Sequence, residues 1–236
     1  MVNLSEKLQE STSSSIFFST KILGFDIYIT DTVVTMWIIM LALVTFALVF
    51  TRKLKTIPEG KQNFVEMIVD LINNFTKGNI GHHWRSFAPY LGTLLMFLAF
   101  SNIVSIFNFS PLEHYKLRPP TRNVNVTASM AVISIGVMLF AGIRFKGVKG
   151  WLKGFIQPSP VILPFKIMDY FIRPLSLCMR LFGNIIGAFI IMKLLEMVIP
   201  VFLPGVLSIY FDLFDGFIQA YIFVFLTSLY ISEAIE

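Results

Sequence analysis

Five long apolar runs constrain the fold of this chain more than any other feature of its sequence. They extend over residues 32–50, 87–109, 126–143, 164–199 and 206–235. A helix of about 20 apolar residues spans the hydrocarbon core of a bilayer, which is about 30 Å thick. Only 14% of the residues are charged, compared with about 25% in soluble domains. The sequence therefore predicts a single transmembrane domain, an all-α membrane protein with five transmembrane spans.

The sequence gives no indication of processing or of a bound cofactor. Residues 1–30 begin with a polar, Ser-rich stretch that has no basic start followed by an apolar core, so no cleavable signal peptide is expected. Cys178 is the single cysteine, which excludes an internal disulfide and argues against a cysteine-based metal site. No glycine-rich phosphate loop or Ser/His/Asp arrangement is present, so the chain is not expected to be an enzyme by itself.

Basic residues predict the orientation in the membrane. The segments 51–86 and 144–173 are much richer in Lys and Arg than the segments on the opposite side. The positive-inside rule places these two segments in the cytoplasm. The prediction is a multi-pass protein of the cell membrane with its N-terminus outside and its C-terminus in the cytoplasm. The net charge of +5 is therefore attributed to membrane topology rather than to nucleic-acid binding.

The segment 60–78 has the pattern of an amphipathic helix. Its apolar residues recur at helical spacing, whereas Glu66, Asp70 and Lys77 lie away from that stripe. Such a helix is expected to lie on the surface of the lipid bilayer, and the alternative is a soluble helix that binds a partner protein.

The last two runs are too long for upright spans. A continuous helix over residues 165–199 would be roughly 50 Å long at 1.5 Å per residue, which exceeds the thickness of the bilayer core. Pro200, Pro204 and Gly205 separate the two runs, as expected for a turn. The prediction is a long, tilted hairpin with its turn on the outer side.

This hairpin also carries ionisable and amide side chains inside the predicted spans, where the default interpretation is functional. They include Arg180, Lys193, Glu196, Asp212 and Asp215, together with Asn184 and Gln219. Spans one to three contain no Asp, Glu, Lys, Arg or His. The concentration of charge predicts a pathway for ions within the hairpin.

Arg180 is the strongest candidate for a functional residue. An arginine stays charged even when it is buried, so it needs a carboxylate or water beside it. No acidic residue lies within about two turns of Arg180 on its own helix, which favours a partner in another subunit over an ion pair within the chain. Gly183 and Gly187 form a G-x-x-x-G pair that permits close approach of a neighbouring helix.

The reversal of the chain between the last two runs predicts which of their polar residues face one another. Lys193 is expected to pair with Asp212, or with Glu196 three residues away. The same register sets Asn184 near Gln219. Asp212, Asp215 and Glu196 lie nearer the turn than Arg180 does, as in an aqueous half-channel that leads inward. The alternative is that Glu196 and Asp212 lie at the outer interface.

Two polar residues of the second span have a structural interpretation. Asn102 and Ser105 are expected to form hydrogen bonds between helices rather than to bind an ion.

Three segments resemble one family of membrane proteins, and the resemblance covers nearly the whole chain. The run R-P-L-S-L-C-M-R-L-F-G-N over 173–184 is similar to the signature of ATP synthase subunit a. The run P-T-R-N-V-N-V-T over 120–127 resembles the loop that enters the third span. The run Q-A-Y-I-F-V-F-L-T-S-L-Y over 219–230 resembles the final helix.

The resemblance implies a stator subunit beside a rotating ring of c subunits, together with peripheral-stalk b subunits and the rest of the ATP synthase. Ions, either protons or sodium ions, would enter by one half-channel, ride on a ring carboxylate and leave by another half-channel. Arg180 matches the essential arginine, Gln219 the glutamine that supports it, and Asp212 a position in the entry channel.

The chain departs from the family pattern at three positions. Asn123 stands where many members have Asp, and Phe189 stands where many carry Glu, a role that Glu196 or Asp215 would then take. Lys193 is unusual for the family.

The alternative functions are those of a stand-alone secondary transporter and of a structural membrane scaffold. A stand-alone secondary transporter is expected to show related halves, which are not visible in this sequence. A structural scaffold would not need Arg180.

Overall fold

A computed structural model describes residues 16–22, 25–52, 54–56, 59–106, 119–156, 163–198, 207 and 209–235. The described chain is almost entirely helical and has five helices long and apolar enough to cross a membrane. This confirms the predicted fold class, an all-α membrane protein with five spans. The predicted turn around residues 200–205 lies outside the described residues.

An antiparallel pair of β-strands precedes the helices and was not predicted. Strand β1 comprises Ile16–Ile22 and strand β2 comprises Phe25–Thr30. Ile22 pairs with Phe25 at one end, and Ile16 pairs with Thr30 at the other. Both strands are rich in β-branched and aromatic residues, which favour extended backbone. Strand β2 ends directly where the first helix begins.

The helices follow in an order that matches the apolar runs. They are α1 (Asp31–Thr51), α2 (Lys61–Ile80), α3 (Trp84–Ile106), α4 (Val124–Ile156), α5 (Leu163–Val198) and α6 (Gly216–Ile235). Short 3-10 turns lie at Gly81–His83 and Pro120–Arg122. A π-helical segment, Ile209–Asp215, leads directly into α6.

Helix α1 lies at the edge of the bundle. The Asp31 carboxylate accepts a hydrogen bond from the Thr32 backbone N–H at 2.8 Å, which satisfies one free donor of the first turn. Its apolar side chains are largely exposed in the isolated chain, for example Leu41 at 69%. An apolar surface of this kind suits contact with lipid.

The core of the bundle lies between α3, α4, α5 and α6. Its fully buried side chains include Leu91, Leu98, Met138, Leu181 and Phe223. Helix α4 contacts both α5 and α6, and α6 also contacts α3. The two helices of the predicted hairpin therefore share a packed core with the preceding spans.

Helix α2 covers the segment predicted to be amphipathic. Its C-terminal half packs on α6, because the Phe75 ring lies 5.4 Å from that of Tyr221 and Asn79 Nδ2 donates to Ser228 Oγ at 3.0 Å. Phe64 and Met67 of its N-terminal half are exposed. The location of this helix on a membrane surface stays a prediction.

Helix α4 changes direction near its end. Gly147 has φ +71°, outside helical geometry, and this left-handed region is accessible to glycine without steric cost. After the kink, the ring of Trp151 returns to Gly142, where an added Cβ would lie 3.0 Å from Trp151 Cδ1. The kink therefore folds the end of α4 back against its own helix.

Candidate functional site

Arg180 lies in the middle of α5 and points away from the bundle. Leu177 and Leu181, three residues before Arg180 and one residue after it, are fully buried in the core. These neighbours fix the rotation of α5, so Arg180 is exposed on the surface of the isolated chain. In the part of the chain that the structure describes, Arg180 forms no hydrogen bond and no ion pair.

The surface around Arg180 is apolar and open. Leu175 and Met179 are 61% and 55% exposed. An added Cβ at Gly183 or at Gly187 would meet no heavy atom within 4 Å. We call the exposed side of α5 formed by Leu175, Met179, Arg180 and Gly183 the arginine face. It offers one positive charge on an apolar surface that a second helix can approach closely.

Asn184, one turn after Arg180, connects α5 to the segment that precedes α6. Its Nδ2 donates a hydrogen bond to Asp215 Oδ2 at 2.7 Å. The predicted register set Asn184 near Gln219, so the observed partner lies about one helical turn nearer the turn of the hairpin. Two candidate residues, Asn184 and Asp215, are thus in direct contact.

Gln219 is buried one turn further along α6. Its exposed fraction is 4%, and its Nε2 has no hydrogen-bond partner among the described residues. A buried amide donor without a partner is costly. Such a group suits a site that a water molecule or a side chain of another subunit completes.

Asn102 of α3 contacts the junction between the π-helical segment and α6. Its Nδ2 donates to the backbone carbonyl oxygen of Gly216 at 2.7 Å. Thr121 Oγ1 donates to Asn102 Oδ1 at 3.4 Å. The expectation that Asn102 bonds between helices is confirmed, whereas the side chain of Ser105 lies outside the described residues.

Three candidates cannot be placed in the same way. The side chains of Lys193, Glu196 and Asp212 lie outside the described part of the structure. Their backbones belong to α5 and to the π-helical segment. The pairing of Lys193 with Asp212 or with Glu196 therefore stays a prediction.

Arg122 was not among the candidates, although it contacts a position noted in the sequence. Its guanidinium carbon lies 3.3 Å from the centre of the ring of Phe189, a residue at which the sequence departs from the pattern that it resembles. Contacts of this type between a cation and an aromatic face are worth about 0.5–2 kcal/mol. The loop before α4 is therefore attached to α5 between Arg180 and the turn.

A second polar cluster lies at the other end of the hairpin. Arg173 Nη2 is 2.8 Å from Glu233 Oε1 and 3.9 Å from Asp169 Oδ2. The Arg173 guanidinium also lies 4.9 Å from the Tyr230 ring centre. Arg173, Glu233 and Asp169 border a cavity of about 170 Å³ that Lys146 and Trp151 also line. Glu233 was not among the predicted site residues. An acidic residue in the last run was nevertheless available in the sequence as a partner for Arg173.

The two contacts Arg173–Glu233 and Asn184–Asp215 run in opposite directions along the two helices. Helix α5 and the segment ending in α6 are therefore antiparallel. The fold and these polar groups define a multi-span membrane protein whose last two helical segments carry an exposed arginine, a buried amide and a carboxylate.

Comparison with known proteins identifies the family within this class. The family model "ATP synthase A chain" matches residues 33–232. The chain is 35% identical to ATP synthase subunit a of Gloeobacter violaceus over 212 residues, 87% of this chain and 84% of that relative. It is 33% identical to "ATP synthase subunit a, sodium ion specific" of Propionigenium modestum over 215 residues, 88% of this chain and 74% of that relative. The chain belongs to the family of ATP synthase a subunits, membrane components of the ATP synthase complex.

Proposed function

We propose that this chain is the stator subunit through which ions drive rotation of a c-subunit ring, and that Arg180 separates two ion half-channels. The chain itself catalyses no reaction and acts in a complex with the ring and the peripheral-stalk b subunits. The translocated ion is a proton or a sodium ion. The N-terminus lies outside the cell membrane and the C-terminus lies in the cytoplasm.

The observation that carries this proposal is the exposure of Arg180 on the arginine face. A charged guanidinium on an apolar surface is expensive in lipid and needs an opposite charge or water. Among the described residues no carboxylate reaches it. A carboxylate on a neighbouring rotor helix would supply this partner, and Gly183 leaves room for that helix to approach.

The polar groups beside Arg180 support a path to the outer side. Asn184 and Asp215 are in contact, and the buried Gln219 Nε2 has no hydrogen-bond partner within the described part of the chain. An ion that reaches this cluster would find a carboxylate and amide groups in place of its water shell. We place Asp212, Glu196 and Lys193 nearer the outer mouth of the same path.

The test is ATP-driven ion pumping by the assembled complex in inverted vesicles, with and without sodium. We expect Arg180→Ala to abolish pumping while the complex still assembles, because a ring carboxylate would no longer meet a fixed positive charge. A sodium requirement in the unsubstituted complex would identify the ion.

Arg173→Ala is the matched control, since it removes an arginine two turns away on the same helix. Arg173 already has a partner in Glu233, so its loss is expected to leave coupled pumping in place. Normal pumping by Arg180→Ala would refute the proposed role of this residue. Equal loss in both variants would mean that any charge removed from α5 disturbs the complex.

A further inference from the structure

We propose that Asn102 is a positioning residue that sets where α6 begins, and through it the location of Asp215 and Gln219 in the ion path. This inference rests on the proposed function. It concerns a residue of α3 that lies on a different helix from the charged candidates.

The first observation is the hydrogen bond from Asn102 Nδ2 to the Gly216 carbonyl oxygen at 2.7 Å. Both residues are buried, and Asn102 is 4% exposed. A carbonyl oxygen has two lone pairs, so it can accept this bond in addition to one within its own helix. Bonds of this kind inside a protein interior fix the position of the backbone that they hold.

The second observation is the close packing at Gly216. A Cβ added there would lie 2.9 Å from Asn102 Cβ and 3.1 Å from Asn102 Cγ. Such distances are shorter than van der Waals contact, so only glycine permits this approach of α3 to α6. The hydrogen bond and the absence of a side chain at Gly216 therefore depend on each other.

The third observation is the place of the contact along the chain. Gly216 is the first residue of α6, directly after the π-helical segment Ile209–Asp215. π-Helical turns are rare and occur frequently at functional sites. A junction between two helix types can shift its register, and a bond to a third helix at this point opposes such a shift.

The consequence concerns the two groups on either side of Gly216. Asp215, the preceding residue, is held by Asn184 at 2.7 Å. Gln219 follows within one turn and is buried with its Nε2 unpaired among the described residues. A small rotation at Gly216 would move both groups relative to α5. Asn102 therefore acts on the path through the backbone of α6, without contact to Arg180.

The test is ATP synthesis by the complex in proteoliposomes, measured against the concentration of the translocated ion on the outer side. We expect Asn102→Leu to raise the concentration for half-maximal synthesis about five- to tenfold, an effect of the size that one lost buried hydrogen bond produces. The maximal rate at saturating ion should fall much less. A purely structural defect would lower the maximal rate and leave the half-maximal concentration in place.

Ser101→Ala is the matched control. Ser101 is the neighbouring buried residue, and its Oγ donates to the Phe97 carbonyl oxygen of its own helix at 2.7 Å. We expect no shift in this variant. If Asn102→Leu assembles and behaves like Ser101→Ala, the proposal is overturned. If Asn102→Leu does not assemble, the smaller Asn102→Ser decides, and either an unshifted profile or a second failure to assemble overturns the proposal.

The close packing provides an independent test through paired substitutions. Gly216→Ala should impair synthesis in the unsubstituted background. It should cost much less when Asn102→Gly has removed the atoms that the new methyl group would meet, because coupled residues give non-additive effects. If Gly216→Ala lowers ATP synthesis equally with and without Asn102→Gly, the close contact between Asn102 and Gly216 is contradicted. Arg180→Ala keeps the two hypotheses apart, since normal pumping in that variant refutes the proposed function whatever Asn102 does.

Discussion

Removal of the Glu233 carboxylate is expected to loosen the end of α6 by a small, measurable amount. The ion pair joins Arg173 Nη2 and Glu233 Oε1 at 2.8 Å, with side chains that are 18% and 63% exposed. A charge-assisted hydrogen bond can reach about 1.5–3 kcal/mol, whereas exposed pairs give about 0.2–1 kcal/mol. Because Glu233 is mostly exposed, we expect Glu233→Gln to cost about 1 kcal/mol.

Arg173→Ala should cost more than Glu233→Gln. The substitution also removes the contact with the Tyr230 ring at 4.9 Å, which adds about 0.5–1 kcal/mol. The total is about 1.5–2 kcal/mol. Once Arg173 is absent, Glu233→Gln should add almost nothing, because the two residues belong to one interaction.

Hydrogen–deuterium exchange of residues 228–235 in the detergent-solubilised complex measures this effect, since exchange reports local opening. A cost of about 1 kcal/mol corresponds to roughly fivefold faster exchange, and about 2 kcal/mol to roughly thirtyfold. Asp169→Asn is the control, because its carboxylate lies 3.9 Å from the same arginine and is 57% exposed. Exchange that is no faster in Glu233→Gln than in Asp169→Asn would refute this account of the pair.

Two further predictions concern packing. Leu181→Ala should lower the stability of the subunit by about 2–5 kcal/mol, because Leu181 is fully buried and its loss leaves a cavity. Thermal unfolding of the complex measures this loss, and Leu41→Ala, at a 69% exposed position of α1, should change little. Gly142→Leu should displace Trp151, whose Cδ1 lies 3.0 Å from the position of an added Cβ, and should cost about 1–3 kcal/mol.

Tryptophan fluorescence together with thermal unfolding tests the second of these predictions. Gly136→Leu on the same helix is its control, since an added Cβ there meets nothing within 4 Å. Similar stability of Gly142→Leu and Gly136→Leu would mean that the Trp151 ring does not pack on Gly142. Similar stability of Leu181→Ala and Leu41→Ala would contradict the assignment of Leu181 to the core.

Much of the candidate site could be identified from the sequence because charge inside an apolar span is conspicuous. Arg180, Asn184, Asp215 and Gln219 were all recognised in this way. The contact between Asn184 and Asp215 could not be predicted in detail, since the register of two helices depends on their packing. The predicted partner of Asn184 lay about one turn away from the observed one.

Other features of the structure could not be predicted, or were not predicted, from the sequence. The hydrogen bond between Asn102 and Gly216 joins residues that are far apart along the chain, and a lone asparagine in a span has many possible partners. The β-strand pair Ile16–Ile22 and Phe25–Thr30 was missed, although its composition favours strands. The contact between Arg122 and Phe189 also depends on how the loop before α4 reaches α5.

The sequence by itself determined the membrane class, the number of spans and the family, because hydrocarbon requires long apolar helices and the motif around Arg180 is specific. The tertiary structure alone decided which way each polar side chain faces. Burial of Leu177 and Leu181 turns Arg180 outward, and contact with α3 fixes the start of α6 at Gly216. Helical periodicity defines the faces of a helix, whereas packing against other helices decides which face is covered.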